Sequence, residues 1–205
     1  MRLLLILIDY NRQPHTDNMS KLIILTAPSG AGKTTIARHL LATFDNLAFS
    51  VSATTRAKRA HEVEGQDYYF ITPAEFRQRI AQGAFLEWEE VYENQFYGTL
   101  KGELERLWAA DKHIVFDVDV HGAIDIKRQY SQLTLAIFIK PPSPEILFER
   151  LRQRKTESEE SLQKRIARAV EELKYENNFD IVLVNDNLED ALNRTTDIVR
   201  QFINT

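Results

Sequence analysis

Beyond its first twenty residues, this chain gathers apolar residues in four short runs, at 21–25, 113–119 (HIVFDVD), 133–139 (LTLAIFI) and 180–185 (DIVLVN). Runs of that length, rich in Val, Ile and Leu, read as strands buried on both faces. Between them the apolar positions fall at helical spacing. The segment 34–44 places Ile36, Leu40 and Leu41 on one face, and similar patterns recur at 100–110, 145–153, 158–175 and 188–203. Strands alternating with helices predict an α/β fold in which a parallel sheet is flanked by helices on both faces.

Two stretches break that rhythm. Residues 52–99 are aromatic and short-period (DYYFI, AFLEWEEVY, QFYGT) around one helical insert, PAEFRQRIAQG, and read as a small, mainly β excursion. Residues 141–161 hold a proline cluster followed by the highly charged EILFERLRQRKTESEES, with no strand pattern. Within it, Thr156 and Glu159 have the spacing of a capping box, opening a helix whose apolar stripe is Leu162, Ile166, Val170 and Leu173. The sequence shows no internal repeat and no low-complexity tract.

With 205 residues, 43% of them hydrophobic, the chain can bury one full core and a small second one. A net charge of −4 offers no general attraction to nucleic acid or to an anionic membrane, so an anion must be held by a local cluster of Lys and Arg. With no cysteine, a disulfide framework and a thiolate metal site are excluded, and the composition suits a reducing cytoplasm. The N-terminal run LLLILI ends at Asp9, is followed by no small-residue cleavage site, and falls short of the about 20 apolar residues of a spanning helix. The chain is therefore expected to be neither exported nor anchored, and to act in the cytoplasm. Residues 1–20 form an extension ahead of the first strand, Met19 is the expected start of the domain proper, and the extension is expected to dock as an added strand or against another subunit.

The densest chemistry is TAPSGAGKTTIARHL, joining the first strand to the first helix. Such a junction leaves backbone N–H groups unpaired at the positive end of the helix dipole, where an anion is favoured. Gly30 and Gly32 let those N–H groups turn inward, Lys33 reaches β- and γ-phosphate oxygens, and the Thr34 hydroxyl is placed to ligate Mg²⁺. Ala27 replaces the usual first glycine, and its methyl group excludes only positive φ. The expected ATP-binding residues are Ala27, Pro28, Ser29, Gly30, Ala31, Gly32, Lys33, Thr34 and Thr35. ATPases, GTPases and small-molecule kinases all use such a loop. The short chain and the lack of an N-K-x-D guanine motif favour a small kinase.

A second cluster, SATTRAKRAHEVEGQDYYF, brings Arg56, Arg59 and Tyr68 within reach of one monophosphate dianion, or else forms a solvated basic turn. Glu87, between Leu86 and Trp88, can accept two parallel hydrogen bonds from the N1–H and N2–H₂ edge of guanine; the alternative is a cross-strand salt bridge. Asp117 and Asp119, two apart near a strand's carboxyl end, share a face and border the expected ligand crevice. One is suited to a metal-bound water or an arginine and the other to the nucleotide; a pair of structural caps is the competing reading.

The order APSGAGKTT, SATTRAKR, GQDYYF, FLEW, FYGT, FDVDVHG, PPS, RLRQRKTESEESLQKR and IVLVND resembles the guanylate kinase family, over 21–203. The resemblance implies a P-loop kinase core (21–51, 100–141 and 162–205), a GMP-binding region (52–99) and a helical lid (142–161). It implies transfer of a phosphoryl group from Mg²⁺·ATP to GMP, with both nucleotides as partners and neither nucleic acid nor membrane involved. Ser52, Glu87 and Thr99 would read guanine, with Asp117 and Asp119 on the same side, while Arg56, Arg59, Tyr68 and Tyr97 would hold the GMP phosphate. Lys33, Arg150, Arg154 and Arg165 would serve the transferring group, and Asn185 would lie beside adenine. The sequence departs from the family at Ala27, at Lys155 in place of a lid glycine, at His121 in place of glutamine, at Thr99 in place of serine, and by one extra residue near Tyr92–Gln95. Lys155 either changes lid flexibility or adds a phosphate contact. Two other classes share part of the pattern: ribose bisphosphate kinases, which need no guanine reader, and scaffold domains that recognise peptides, in which the loop is degraded.

Overall fold

The structure, a computed structural model, describes residues 20–153 and 159–205. Its strands in chain order are β1 (Leu22–Thr26), β2 (Leu47–Phe49), β3 (Ala53–Thr54), β4 (Tyr69–Phe70), β5 (Phe85–Tyr92), β6 (Gln95–Leu100), β7 (His113–Asp117), β8 (Thr134–Lys140) and β9 (Ile181–Val184). The helices are α1 (Lys33–Thr43), α2 (Pro73–Ala81), α3 (Lys101–Ala109), α4 (Val120–Gln129), α5 (Pro144–Gln153), α6 (Glu159–Leu173) and α7 (Leu188–Ile203).

A five-stranded parallel sheet in the order β2-β7-β1-β8-β9 forms the centre. Successive side chains of a strand point to opposite faces, so β1 divides its residues between two cores. Ile23 and Leu25 face Ile36 and Leu40 of α1 and Val199 of α7, while Leu22 and Ile24 face Leu104 of α3 and Ile126 of α4. Helices on both sides explain why every residue of β1 is buried and why the strand reads as one unbroken apolar run. The expected parallel α/β architecture is the one observed.

Two core elements lie outside the elements expected from periodicity. β2 is three residues long, too short for a periodic signal, and α4 follows β7 so closely that its cap, Asp119, was read as the end of the strand. β7 ends at Asp117 because Asp119 caps α4, its Oδ1 accepting from Gly122 N–H at 2.8 Å.

The excursion forms a second sheet, β4-β3-β6-β5, with parallel β3–β4 pairing and antiparallel β3–β6 and β5–β6 pairing. Its own small core stacks Phe76 of α2 on Phe85 at 4.2 Å and on Phe96 at 5.2 Å between ring centroids. Thr72 caps α2 and Pro73 opens it, a pairing suited to a helix start. The β5–β6 turn pairs Tyr92 with Gln95, with Asn94 at φ 60° and a register irregularity between Glu90 and Tyr92.

Helices α5 and α6 pack together through Leu147, Leu151 and Ala169, with Leu162, Ile166 and Leu173 against them. The stripe expected on α6 needs one correction: Val170 is 39% exposed, and Ala169 takes the buried position. A 4-3-4 spacing through Leu162, Ile166, Ala169 and Leu173 keeps closer to 3.6 residues per turn than the 4-4-3 expected. The Thr156–Glu159 capping box, Lys155 and residues 1–18 lie outside the described residues. Among the described residues, no helix is long and apolar enough to cross a membrane.

Candidate active site

The phosphate loop runs from the carboxyl end of β1 to the first turn of α1. Gly30 and Gly32 have φ of 94° and 97°, conformations that a side chain disfavours. Ala27 is among neither of the two non-glycine residues with positive φ in the described chain, and its methyl group joins the core beneath the loop. Asn185 braces the loop from behind. Its Nδ2 donates to the Ala31 carbonyl at 2.7 Å, and a Cβ on Gly32 would stand 2.5 Å from that nitrogen.

Lys33 Nζ lies 2.7 Å from Asp117 Oδ1 and donates to the Val118 carbonyl at 2.8 Å. Burial pulls the ammonium pKa down, but the charge and hydrogen bond of Asp117 outweigh it, so the net shift is upward and the lysine stays charged. Thr34 Oγ1 donates to Asp117 Oδ2 at 3.4 Å. Asp117, grouped with the acceptor residues in the sequence reading, therefore stands on the loop side, at the strand end next to Lys33 and Thr34.

Across the crevice, Arg56 makes a two-pronged ion pair with Glu62, at 2.7 Å from Nη1, and its guanidinium lies 4.9 Å from the Tyr68 ring centroid. Glu62 also accepts from Arg59 N–H at 2.8 Å. The hydrogen bonds from Arg56 hold the buried Glu62 carboxyl well below the usual range, at about 2. Tyr97 meets Tyr68 edge-on, 6.0 Å between ring centroids. Arg56, Arg59, Tyr68 and Tyr97 thus converge as the sequence reading required.

Glu87 on β5 and Thr99 on β6 are register partners, and the Thr99 hydroxyl donates to Glu87 Oε1 at 2.6 Å. The other oxygen crowds the start of α4: a Cβ on Gly122 would stand 2.7 Å from Glu87 Oε2 and 3.4 Å from Asp119 Oδ1. Glycine is needed there for the close approach of a carboxylate. Burial pushes the Glu87 carboxyl up to about 7, with the Thr99 hydrogen bond opposing and the Asp119 charge adding to the shift.

These groups share one cavity of about 650 Å³, lined by the loop from Ala27 to Thr35, and by Ser52, Arg56, Arg59, Tyr68, Glu87, Tyr97, Asp117, Asp119 and Arg165. Arg165 donates to Ser29 Oγ on the loop. Three expected site residues stand behind the wall: Thr99 is wholly buried under Glu87, Asn185 is directed at the loop, and Arg150 donates to the Asn185 carbonyl at 3.1 Å. Arg154 lies outside the described residues. Glu62, Glu89, Arg168 and Glu172 were missed by sequence reasoning. Helical spacing carries a signal for the last two, at three and seven residues after Arg165, but beyond Arg165 the segment was read only for its apolar stripe. Among the described residues, no group of three or more His, Asp or Glu could hold a metal ion by itself.

A family model described as guanylate kinase matches residues 19–202. The guanylate kinase of Bacteroides fragilis is 47% identical over 190 residues, covering 93% of each chain. That of Porphyromonas gingivalis is 48% identical over 186 residues, covering 90% of this chain and 99% of its own. The crystal structure of guanylate kinase from Anaplasma phagocytophilum superposes with a TM-score of 0.72 at 32% identity, covering 90% of this chain and 86% of that one. A phosphate loop facing an Arg–Tyr cluster across one cavity, together with these likenesses, shows that the chain belongs to the guanylate kinase family.

Proposed function

We propose that the chain transfers the γ-phosphoryl group of ATP to GMP, giving ADP and GDP. The observation that carries this reading is that one cavity has the phosphate loop at one end and the Arg–Tyr cluster at the other, with Glu87, hydrogen-bonded to the buried Thr99, beside the second. A triphosphate on the loop and a monophosphate on Arg56, Arg59, Tyr68 and Tyr97 would bring donor and acceptor head to head.

In the transfer, an oxygen of the GMP phosphate attacks the γ-phosphorus as the bond to the ADP oxygen breaks, and that bonding pair leaves with ADP. The attacking phosphate is already anionic, so no general base is required. The chief obstacle is repulsion between the two anions, which fixed cations relieve. Lys33 would leave Asp117 for the β- and γ-phosphates, and Arg165, poised over Ser29, would meet the transferring group with Arg154, whereas Arg150 would join them only by leaving the Asn185 carbonyl. The Glu62 carboxylate keeps Arg56 and the Arg59 backbone in place until the acceptor phosphate arrives. Thr34 and Asp117 offer hard oxygen donors at the helix start, a set that fits Mg²⁺ held mainly by phosphates and water. When bound there, Mg²⁺ supplies neutralisation of phosphate charge. Enclosure by α5 and α6 would keep water from the γ-phosphoryl group.

Lys33→Ala is expected to lower turnover by at least about a hundredfold, because it removes a cation from the transferring group, while GMP binding by calorimetry stays near normal. Near-normal turnover in that variant would overturn the assignment of the loop.

A further inference from the structure

Arg168 stands one helical turn after Arg165 on α6, about 4.5 Å further along the axis, so the two side chains leave the same face. Its Nη2 lies 3.3 Å from Glu89 Oε2 and 3.3 Å from Asp119 Oδ2, and its Nε donates to Glu172 Oε1 at 2.8 Å. These carboxylates sit on three different parts of the molecule. Glu89 belongs to β5 of the small sheet, Asp119 to the α4 cap on the main sheet, and Glu172 to α6 itself. Glu89 also follows Glu87 by two residues on one strand, hence on the same face, and Asp119 borders Glu87 over Gly122.

We propose that Arg168 is a positioning residue for phosphoryl transfer: by tying α6 to β5 and to the α4 cap, it sets Arg165 over the phosphate loop. The inference rests on the kinase reading above, in which Arg165 meets the transferring group. The planar guanidinium suits this task because its N–H groups diverge in fixed directions, and a lysine ammonium on a flexible stem cannot span the same partners. Toward its carboxyl end α6 is anchored by Leu173, which packs on both the main core and the α5–α6 contact. Arg168 is a polar tie between that anchor and Arg165. The Arg168 side chain is 34% exposed and those of Glu89 and Asp119 are 31% and 25% exposed, so the two cross-molecule pairs add little to stability. Their effect belongs to geometry, where a displacement of an ångström can cost as much as about a hundredfold in rate.

Steady-state turnover at saturating ATP and GMP tests this with a double-mutant cycle. Arg168→Gln is expected to lower kcat about tenfold and to change the ATP KM by less than about twofold, and Arg168→Lys should fall between it and the native enzyme. The variant Arg165→Ala with Arg168→Gln is expected to turn over no more slowly than Arg165→Ala alone, because Arg168 acts through Arg165. Multiplied losses in the double variant would overturn the positioning role and leave the kinase reading intact. Unchanged turnover in Arg165→Ala would overturn both the role given to Arg165 and the inference built on it. Melting temperatures separate the structural case: losses of turnover that track equal losses of stability in both Arg168 variants would also overturn the inference.

Discussion

In the proposed reaction Glu87 faces two opposed demands, since reading the guanine edge would require an ionised carboxylate and its surroundings favour the protonated one. Its carboxyl is raised from an ordinary 4.5 to about 7 by burial against the α4 start. The folded chain therefore holds this proton more tightly than the unfolded chain does between those values. The stability this group contributes is complete below about pH 4.5 and is lost as the pH rises through about 7. Glu87→Gln has no such titration. The melting temperature of this variant relative to the native protein is expected to rise from pH 5 to pH 8 and then level off. A difference that is flat with pH would contradict the burial argument. On the proposed reading guanine would donate two hydrogen bonds to the ionised carboxylate and favour it, so that its binding is expected to release the Glu87 proton near neutral pH.

Among the elements, the small sheet depends on very little core. Phe76 is fully buried and stacks on both Phe85 and Phe96, and together with Ala53 these are the buried members of the cluster. Phe76→Ala is expected to cost about 3–5 kcal/mol in denaturant unfolding and to weaken GMP binding while the phosphate loop still binds ATP. A loss below about 1 kcal/mol would show that the sheet is held by something other than this stack. The same elements show how far the sequence could be read. Strands β1, β7 and β8 were legible because burial on both faces leaves an unbroken apolar run, and β9, an edge strand with Val184 exposed, was legible because its residues are apolar and β-branched or Leu throughout. α4 was not, because Asp119 serves as a cap within an apparent continuation of β7 and because Gly122 and its β-branched neighbours are weak helix formers. Val170 was placed in the core of α6 because apolar spacing alone cannot tell it from Ala169. The packing partner on α5 decides between them.

Over the whole molecule, the two proposed anion-binding ends of the cavity are built from short sequence segments, which is why Arg56, Arg59, Tyr68, Glu87 and the loop could be named in advance as lying together. Residues whose meaning depends on distant packing could not be. Asn185 was named only through the resemblance, and its contact with a loop carbonyl 154 residues away along the chain was not foreseen, while Glu62, Arg168 and Glu172 take their roles from neighbours that only folding supplies. The central claim is that the second end selects guanine monophosphate. It is tested most directly by ADP-coupled turnover with GMP, dGMP, AMP, UMP and a ribose bisphosphate as alternative acceptors, with Mg²⁺·ATP as donor. Turnover confined to the guanine nucleotides, with AMP and UMP slower by at least about a thousandfold, is the expected result, because a wrong base covers the partly buried Glu87 acceptor and leaves it unpaired. Comparable turnover with AMP, UMP or the ribose bisphosphate would contradict it.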